Sequence, residues 1–194
     1  MLDDKFYDNL YQGISKVAWG YVFLLFHINL GTLNILPTFV GFLLFLSAIH
    51  LLQEIEPELA LLQPFGVALT IWYVIEWLMK LFGGNLGGGF SLTINVIICI
   101  MNVYFQFQLL TNLATIATKY QSEETEFDAK LLRYRNVQVI ATTGAMILTY
   151  LVPQWLGDVG AFFALIWTAV ALLVGICLMV TLFKFKNEFQ DNIF

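Results

Sequence analysis

In the run LTINVIICIMNVYFQFQ, Asn95, Cys99, Asn102 and Gln106 follow spacings of four, three and four. Those spacings stack on one face of an α-helix, so an apolar segment carries a stripe of amides and a thiol. Amides in hydrocarbon either hold helices together, at about 0.6–2 kcal/mol each, or face a wet cavity. Both roles are open to this stripe. Glu76 offers a similar choice. It can pair with Lys80 one turn on, or point into a cavity and bind or relay a cation or proton. A third candidate is the uncharged stretch HINLGTLNILPTFVG, with His27, Asn29 and Asn34 between two apolar runs. It is either a plain interfacial turn capped by its asparagines or part of a site. Asp158 completes the set of candidate solute ligands: His27, Asn29, Asn34, Glu76, Asn95, Asn102 and Asp158.

Other chemistry finds no pattern. There is no Ser/His/Asp arrangement, catalytic carboxylate pair or metal-ligand spacing, so no enzyme activity, metal or cofactor is expected. FGGNLGGGF is rich in glycine, but a phosphate-binding loop needs a terminal Lys and Ser/Thr after a strand. His27 and His50 fall near opposite faces of the membrane. The nine Lys and Arg residues do not cluster beyond Arg133 and Arg135, which excludes a nucleic-acid surface. Cys99 and Cys177 sit within apolar runs, where cysteine behaves as a small hydrophobe rather than half of a disulfide.

The elements that must position these residues follow from composition. A chain of 194 residues that is 59% hydrophobic and 12% charged is too apolar for a soluble domain. Its expected solvent is lipid. A helix needs about 20 apolar residues to cross about 30 Å of hydrocarbon. Six apolar runs, at about 17–28, 37–52, 62–82, 92–117, 137–152 and 159–183, predict an all-α polytopic bundle of six transmembrane helices forming a single domain. No alternation supports a barrel. Residues 1–16 lack the basic start and cleavage site of a signal peptide. Phe6, Leu10 and Ile14 recur every four positions there and predict a short interfacial helix. Lys5, Lys16, Lys119, Lys130, Arg133, Arg135, Lys184 and Lys186 then lie on one side and Lys80 alone on the other, which predicts both termini in the cytoplasm. The connection at about 118–136 is cytoplasmic. It reads as a helix extension, with Ser122 as an N-cap, Glu123 and Glu124 in the first turn, and Glu126 paired with Lys130.

In that topology the seven candidate ligands fall in the outer half, with Asn102 near the middle. They would converge on an outward-facing pocket, walled by Trp19, Trp72, Trp77 and Trp155. His50, paired with Glu54, and Gln106, Gln108 and Asn112 fall in the inner half and read as structural. Gly160, Ala164, Thr168, Ala171 and Gly175 form a small-residue stripe. With Ala141 and Ala145 they predict close helix packing, inside the bundle or against another membrane subunit. LPTFVG at 36–41 and VPQWLG at 152–157 share an order of Pro, aromatic, aliphatic and Gly, and each precedes an inward run. Uncharged turns of this kind sit low in the membrane, where irregular backbone needs protein or water around it.

The runs WGYVFLLFHINLGTLNILPTFVGFLLFLSAIHLL and YFQFQLLTNLATIA resemble a set of uncharacterised small multi-span membrane proteins of Gram-positive bacteria. The resemblance covers most of the chain, implies a bacterial plasma membrane and brings no activity. Six spans in a chain of this length, with both termini inside, are also similar to the S-components of energy-coupling-factor transporters. That similarity implies an outward-opening ligand site and coupling through small-residue helix faces. The first helix here carries Val17, Ala18 and Gly20 where those components carry a small-residue docking face. The expected function is small-solute binding or a part in transport, with the lipid bilayer and a small solute as partners. The alternative is a structural or regulatory subunit of a larger membrane complex.

Overall fold

The computed structural model describes residues 2–26, 29–30, 33–34, 36–82, 89–122, 125–150 and 153–189. They form six α-helices: α1 (Leu2–Leu25), α2 (Thr38–Leu52), α3 (Gln63–Leu81), α4 (Gly89–Tyr120), α5 (Phe127–Tyr150) and α6 (Pro153–Asn187). A 3-10 segment, Pro57–Leu62, leads into α3. A small hairpin of β1 (Asn29–Leu30) and β2 (Leu33–Asn34) joins α1 to α2, with Asn29 opposite Asn34 and Leu30 opposite Leu33.

Proline sets the helix starts. Pro37 precedes α2 in extended conformation, Pro57 opens the 3-10 segment, Pro64 lies in the first turn of α3, and Pro153 begins α6. A proline there loses no hydrogen bond, because first-turn amides have no intrahelical acceptor, and its fixed φ suits the helix. The shared Pro-aromatic-Gly order of 36–41 and 152–157 therefore marks the same event twice, the start of a returning helix.

Each helix packs against its neighbours in the chain, and α1 also packs against α6, which closes a ring. The contacts show every adjacent pair to be antiparallel. Gly13 meets Leu52 while Gly20 meets Gly41 across α1 and α2. Gln138 bonds Gln106, and Arg135 bonds Thr111, across α4 and α5. Leu25 meets Gly175, Trp19 meets Phe183 and Lys186 lies over Tyr11 across α1 and α6.

Fully buried side chains are concentrated at one end of this ring. Leu10, Ile14, Leu52, Leu109, Leu113, Leu131, Leu182 and Phe185 are inaccessible there. Above them Phe42, Phe45 and Phe105 meet as an aromatic plug, with Tyr21 against Phe45 and Tyr73 stacked on Phe42. Beyond the plug α4 is half-buried or exposed from Thr93 to Tyr104. The filled end carries eight of the nine basic residues, at Lys5 and Lys16 of α1, the last turns of α4 and α6, and the first turns of α5. Phe6 packs on Tyr120 and Phe127 on Phe185, which brings those segments together. Lys80 lies in the last turn of α3, at the other end.

Polar staples close the filled end. Lys119 donates to the buried Glu56 carboxylate at 2.8 Å and ties α4 to the 3-10 segment. Gln121 and Asp128 bond reciprocally. The Gln121 amide donates to the Asp128 carboxylate at 2.7 Å and accepts the Asp128 backbone N–H at 3.1 Å. The Gln121 bond, with help from the Ala129 backbone N–H and the Thr118 hydroxyl, holds the Asp128 carboxyl below its ordinary value of 3.8.

The outer surface is apolar. Ile71, Ile75, Ile97, Ile100, Ile140, Phe162, Leu165 and Leu173 are exposed, the last two at 69% and 62%. Exposed apolar area on this scale marks a surface that does not face water. Among the described residues three helical segments are long and apolar enough to cross a membrane: Pro57–Leu81, Thr93–Tyr120 and Leu165–Asn187. The chain is thus an all-helical protein whose apolar helices suit a membrane location.

Several boundaries differ from the sequence reading. Residues 2–25 form one continuous helix rather than an interfacial helix followed by a span. Much of the segment 118–136 is helical, since α4 runs to Tyr120 and α5 begins at Phe127 rather than after a cap at Ser122. Its first turn is held by Gln121, and Lys130 donates to the Thr125 carbonyl at 2.8 Å. Ser122 donates to Glu188 near the end of the chain.

Candidate functional site

The core stops at the aromatic plug because α1 and α2 stop there. Leu25, the last residue of α1, packs on Gly175, and α6 runs on for roughly 33 Å beyond that glycine at about 1.5 Å per residue. The plug residue Phe42 lies one turn from the start of α2, whereas α4 extends about 24 Å past Phe105. The ring above the plug is therefore incompletely filled, and it holds a cavity of about 360 Å³.

All six helices line it. Leu24 and Leu25 come from the end of α1, Thr38 from the start of α2 and Tyr73 from the middle of α3. From α4 and α5 come Asn102, Gln106, Gln138 and Thr142, while α6 supplies Thr168, Ala171 and Leu172. Among these described lining residues none carries a charge. Six of the eleven are uncharged polar residues, three threonines and three amides, set among Leu24, Leu25, Tyr73, Ala171 and Leu172.

Three amides form a ladder across α4 and α5. Gln138 Nε2 donates to Gln106 Oε1 at 3.4 Å, and Gln106 Nε2 donates to Asn102 Oδ1 at 2.8 Å. Gln106 and Gln138 are each 5% exposed. The Thr142 hydroxyl turns back onto the Gln138 backbone carbonyl at 2.7 Å, which leaves the Gln138 side chain to the ladder and the cavity. Gln138 Oε1 is buried and has no hydrogen-bond partner among the described residues. An unmade hydrogen bond on such an atom costs about 1–3 kcal/mol.

Of the expected ligands, Asn102 lines this cavity. Asn95 lies on the same helix about two turns outward and half-buried. Glu76 pairs with Lys80 at 2.6 Å, on a partly exposed face of α3 and outside the cavity lining. Asn29 and Asn34 face each other as backbone partners in the hairpin. Their side chains, all of His27 and the side chain of Asp158 lie outside the described residues. The tryptophan walls are placed differently. Trp19 is half exposed against Phe183, Trp77 packs on Phe39, and Tyr73 is the aromatic ring that reaches the cavity. The Trp155 side chain lies outside the described residues.

Gln106, read from the sequence as structural, is the centre of the ladder, and Gln138 was given no role at all. The spacing of four from Asn102 already put Gln106 on the right face. For Gln138 the signal was a lone amide in NVQVIATTGAM. His50 bonds Gln53 at 3.2 Å, away from the cavity. The small-residue positions divide. Gly175 receives Leu25, Thr168 and Ala171 line the cavity, and Gly160 and Ala141 are buried. Ala145 is half-buried, and the Ala164 side chain lies outside the described residues. Between α5 and α6 Gly144 faces Trp167, whose indole donates to the Ile140 carbonyl at 3.3 Å.

The chain matches no family model, no curated protein and no solved structure. Function is therefore argued from the cavity.

Proposed function

We propose that this protein is a six-span bundle of the bacterial plasma membrane, with both termini in the cytoplasm, that binds a small polar solute in its outer half and serves the uptake or passage of that solute. The observation that carries this is the cavity itself. It collects side chains from all six helices at one level, and three of its polar groups, the amides of Asn102, Gln106 and Gln138, are linked in one ladder. A structural scaffold gains nothing from leaving that volume unfilled, since packing it would add dispersion and hydrophobic stabilisation. The gathering of eight basic residues at the filled end supports an outward-facing cavity under the positive-inside rule.

The test is a solute screen by thermal shift on detergent-purified protein, repeated with Asn102→Ala and Glu76→Gln. A hit should stabilise the unaltered protein and Glu76→Gln alike and lose its effect on Asn102→Ala. Equal stabilisation of all three, or loss confined to Glu76→Gln, would move the site elsewhere. Single cysteines placed at Ser122 and at Lys80 test the orientation. An impermeant maleimide applied to intact cells should label position 80 and spare position 122.

A further inference from the structure

One cation near the filled end is held in place by neutral groups alone. Arg135 of α5 lies half-buried in the seam with α4, its guanidinium 4.3 Å from the centre of the Phe107 ring. Nη1 donates to the Thr111 hydroxyl at 2.9 Å, and that hydroxyl donates in turn to the Phe107 carbonyl at 2.7 Å. Nε and Nη2 both donate to Asn136 Oδ1, at 3.0 and 2.8 Å. A guanidinium has about five N–H donors and no acceptor, so three are engaged and one remains on each Nη. Among the described residues no carboxylate pairs with Arg135. Asp128, two turns back on the same face of α5, is taken up by Gln121 and Thr118.

The depth of this group says which anion would complete it. Arg135 stands about 12 Å from the start of α5, at about 1.5 Å per residue, and two residues before the apolar run 137–152. Val137 and Ile140 are exposed on the apolar side of it, while Arg133 and Lys130 are exposed on the other. A fixed cation at such a border meets the level where hydrocarbon gives way to lipid headgroups. We infer that the α4–α5 seam binds an anionic phospholipid, whose phosphate oxygens accept the two remaining Nη donors of Arg135 while its acyl chains lie along Val137 and Ile140. A planar guanidinium suits phosphate geometry, and Phe107, Thr111 and Asn136 hold it ready. The surplus of positive charge from Arg133 and Lys130 favours a headgroup of net negative charge over one that carries its own ammonium. None of these residues lines the cavity, so the lipid site is independent of the solute-binding role.

Three probes test it on the detergent-purified full chain: dioctanoyl phosphatidylglycerol, dioctanoyl phosphatidylcholine and glycerol 3-phosphate, read by native mass spectrometry and thermal shift. Phosphatidylglycerol should bind at least about tenfold more tightly than phosphatidylcholine. Glycerol 3-phosphate, which has the phosphate without the chains, should not bind measurably. Arg135→Gln should weaken phosphatidylglycerol about tenfold, and Arg135→Lys, which keeps the charge and loses the fork, should fall between. Lys184→Gln removes an exposed cation from the same end and should leave binding within about twofold. Equal losses from Lys184→Gln and Arg135→Gln would mean diffuse attraction and overturn the site. Equal binding of the two lipids, or binding of neither, overturns the anionic-lipid assignment. Glycerol 3-phosphate binding as tightly as phosphatidylglycerol would make the seam a site for free anions and overturn the lipid. If the Arg135 variants do not fold, the comparison of probes on the unaltered protein still decides.

Discussion

Replacing Gly41 by alanine should loosen the α1–α2 crossing that sets the floor of the cavity. A Cβ built on Gly41 would lie 2.8 Å from the Gly20 carbonyl oxygen and 3.3 Å from Phe23 Cβ. These atoms belong to or adjoin the α1 backbone, so no side-chain rotation relieves the contact and the two helices must separate by a few tenths of an ångström. Overpacking of this kind costs about 1–3 kcal/mol, toward the upper end when backbone must move. Alanine recovers about 1 kcal/mol of helix propensity. The net loss is about 1–2 kcal/mol, or roughly 2–8 °C in Tm for a chain of this length. Gly66→Ala is the control. Its Cβ would meet the tip of the half-buried Leu46 at 2.8 Å and the ring edge of Phe105 at 3.2 Å, side-chain atoms in both cases rather than backbone. Propensity and crowding then nearly cancel, and stability should stay within about 1 kcal/mol. Unfolding in mixed micelles titrated with sodium dodecyl sulfate, followed by tryptophan fluorescence, would rank the two. If Gly41→Ala were as stable as the unaltered protein, or less damaging than Gly66→Ala, the close α1–α2 crossing would be wrong.

Other changes should read out the polar groups. In the same unfolding assay Gln106→Leu should destabilise by about 2 kcal/mol more than Gln138→Leu. The middle amide has partners on both sides, whereas Gln138→Leu also removes an acceptor that is already unpaired. A reversed order would break the ladder assignment. Asp128→Asn should lower stability at neutral pH, and the difference should fade on acidification. The folded carboxyl titrates below its ordinary value of 3.8, so its stabilisation is complete above that value and is lost as pH falls through the lower folded one. A difference that grew in acid would contradict the Gln121–Asp128 staple. Lys80→Met should change stability by no more than about 0.5 kcal/mol, because its pair with Glu76 is exposed and one turn apart.

The helices were legible because apolar runs and prolines are local signals. All four prolines stand at helix starts, and each apolar run falls largely within one helix. The polar face of α4 was legible for the same reason, since a 3.6-residue period stacks Asn102 and Gln106 without any knowledge of the fold. The partner on α5 was not. Gln138 reaches Gln106 only because the turn at Gln121 and Asp128 fixes the register of two long helices, and that register depends on side-chain bonds invisible to hydropathy. Counting depth along α4 likewise set Gln106 apart from Asn102, although the two line one cavity. Depth counted along α4 from its ends says little when the level that matters is set by where two other helices stop.

That level explains why the cavity lies where it does. Six helices can fill the end away from the hairpin because each neighbour brings an apolar face. Above Leu25 and below Thr38 two of the six walls become a hairpin, while α3, α4, α5 and α6 continue. Four helices alone could close on one another at interaxial distances of about 8–10 Å. Here they rise from an aromatic floor of Phe42, Phe45 and Phe105, and α3 meets α4 only sparsely. The opening is thus a geometric consequence of two short helices. Its polarity is a separate matter, because apolar side chains at 102, 106 and 138 would serve packing equally well. Three amides joined at that level bond α5 to α4, and the same three residues line the cavity on which the proposed solute-binding role is built.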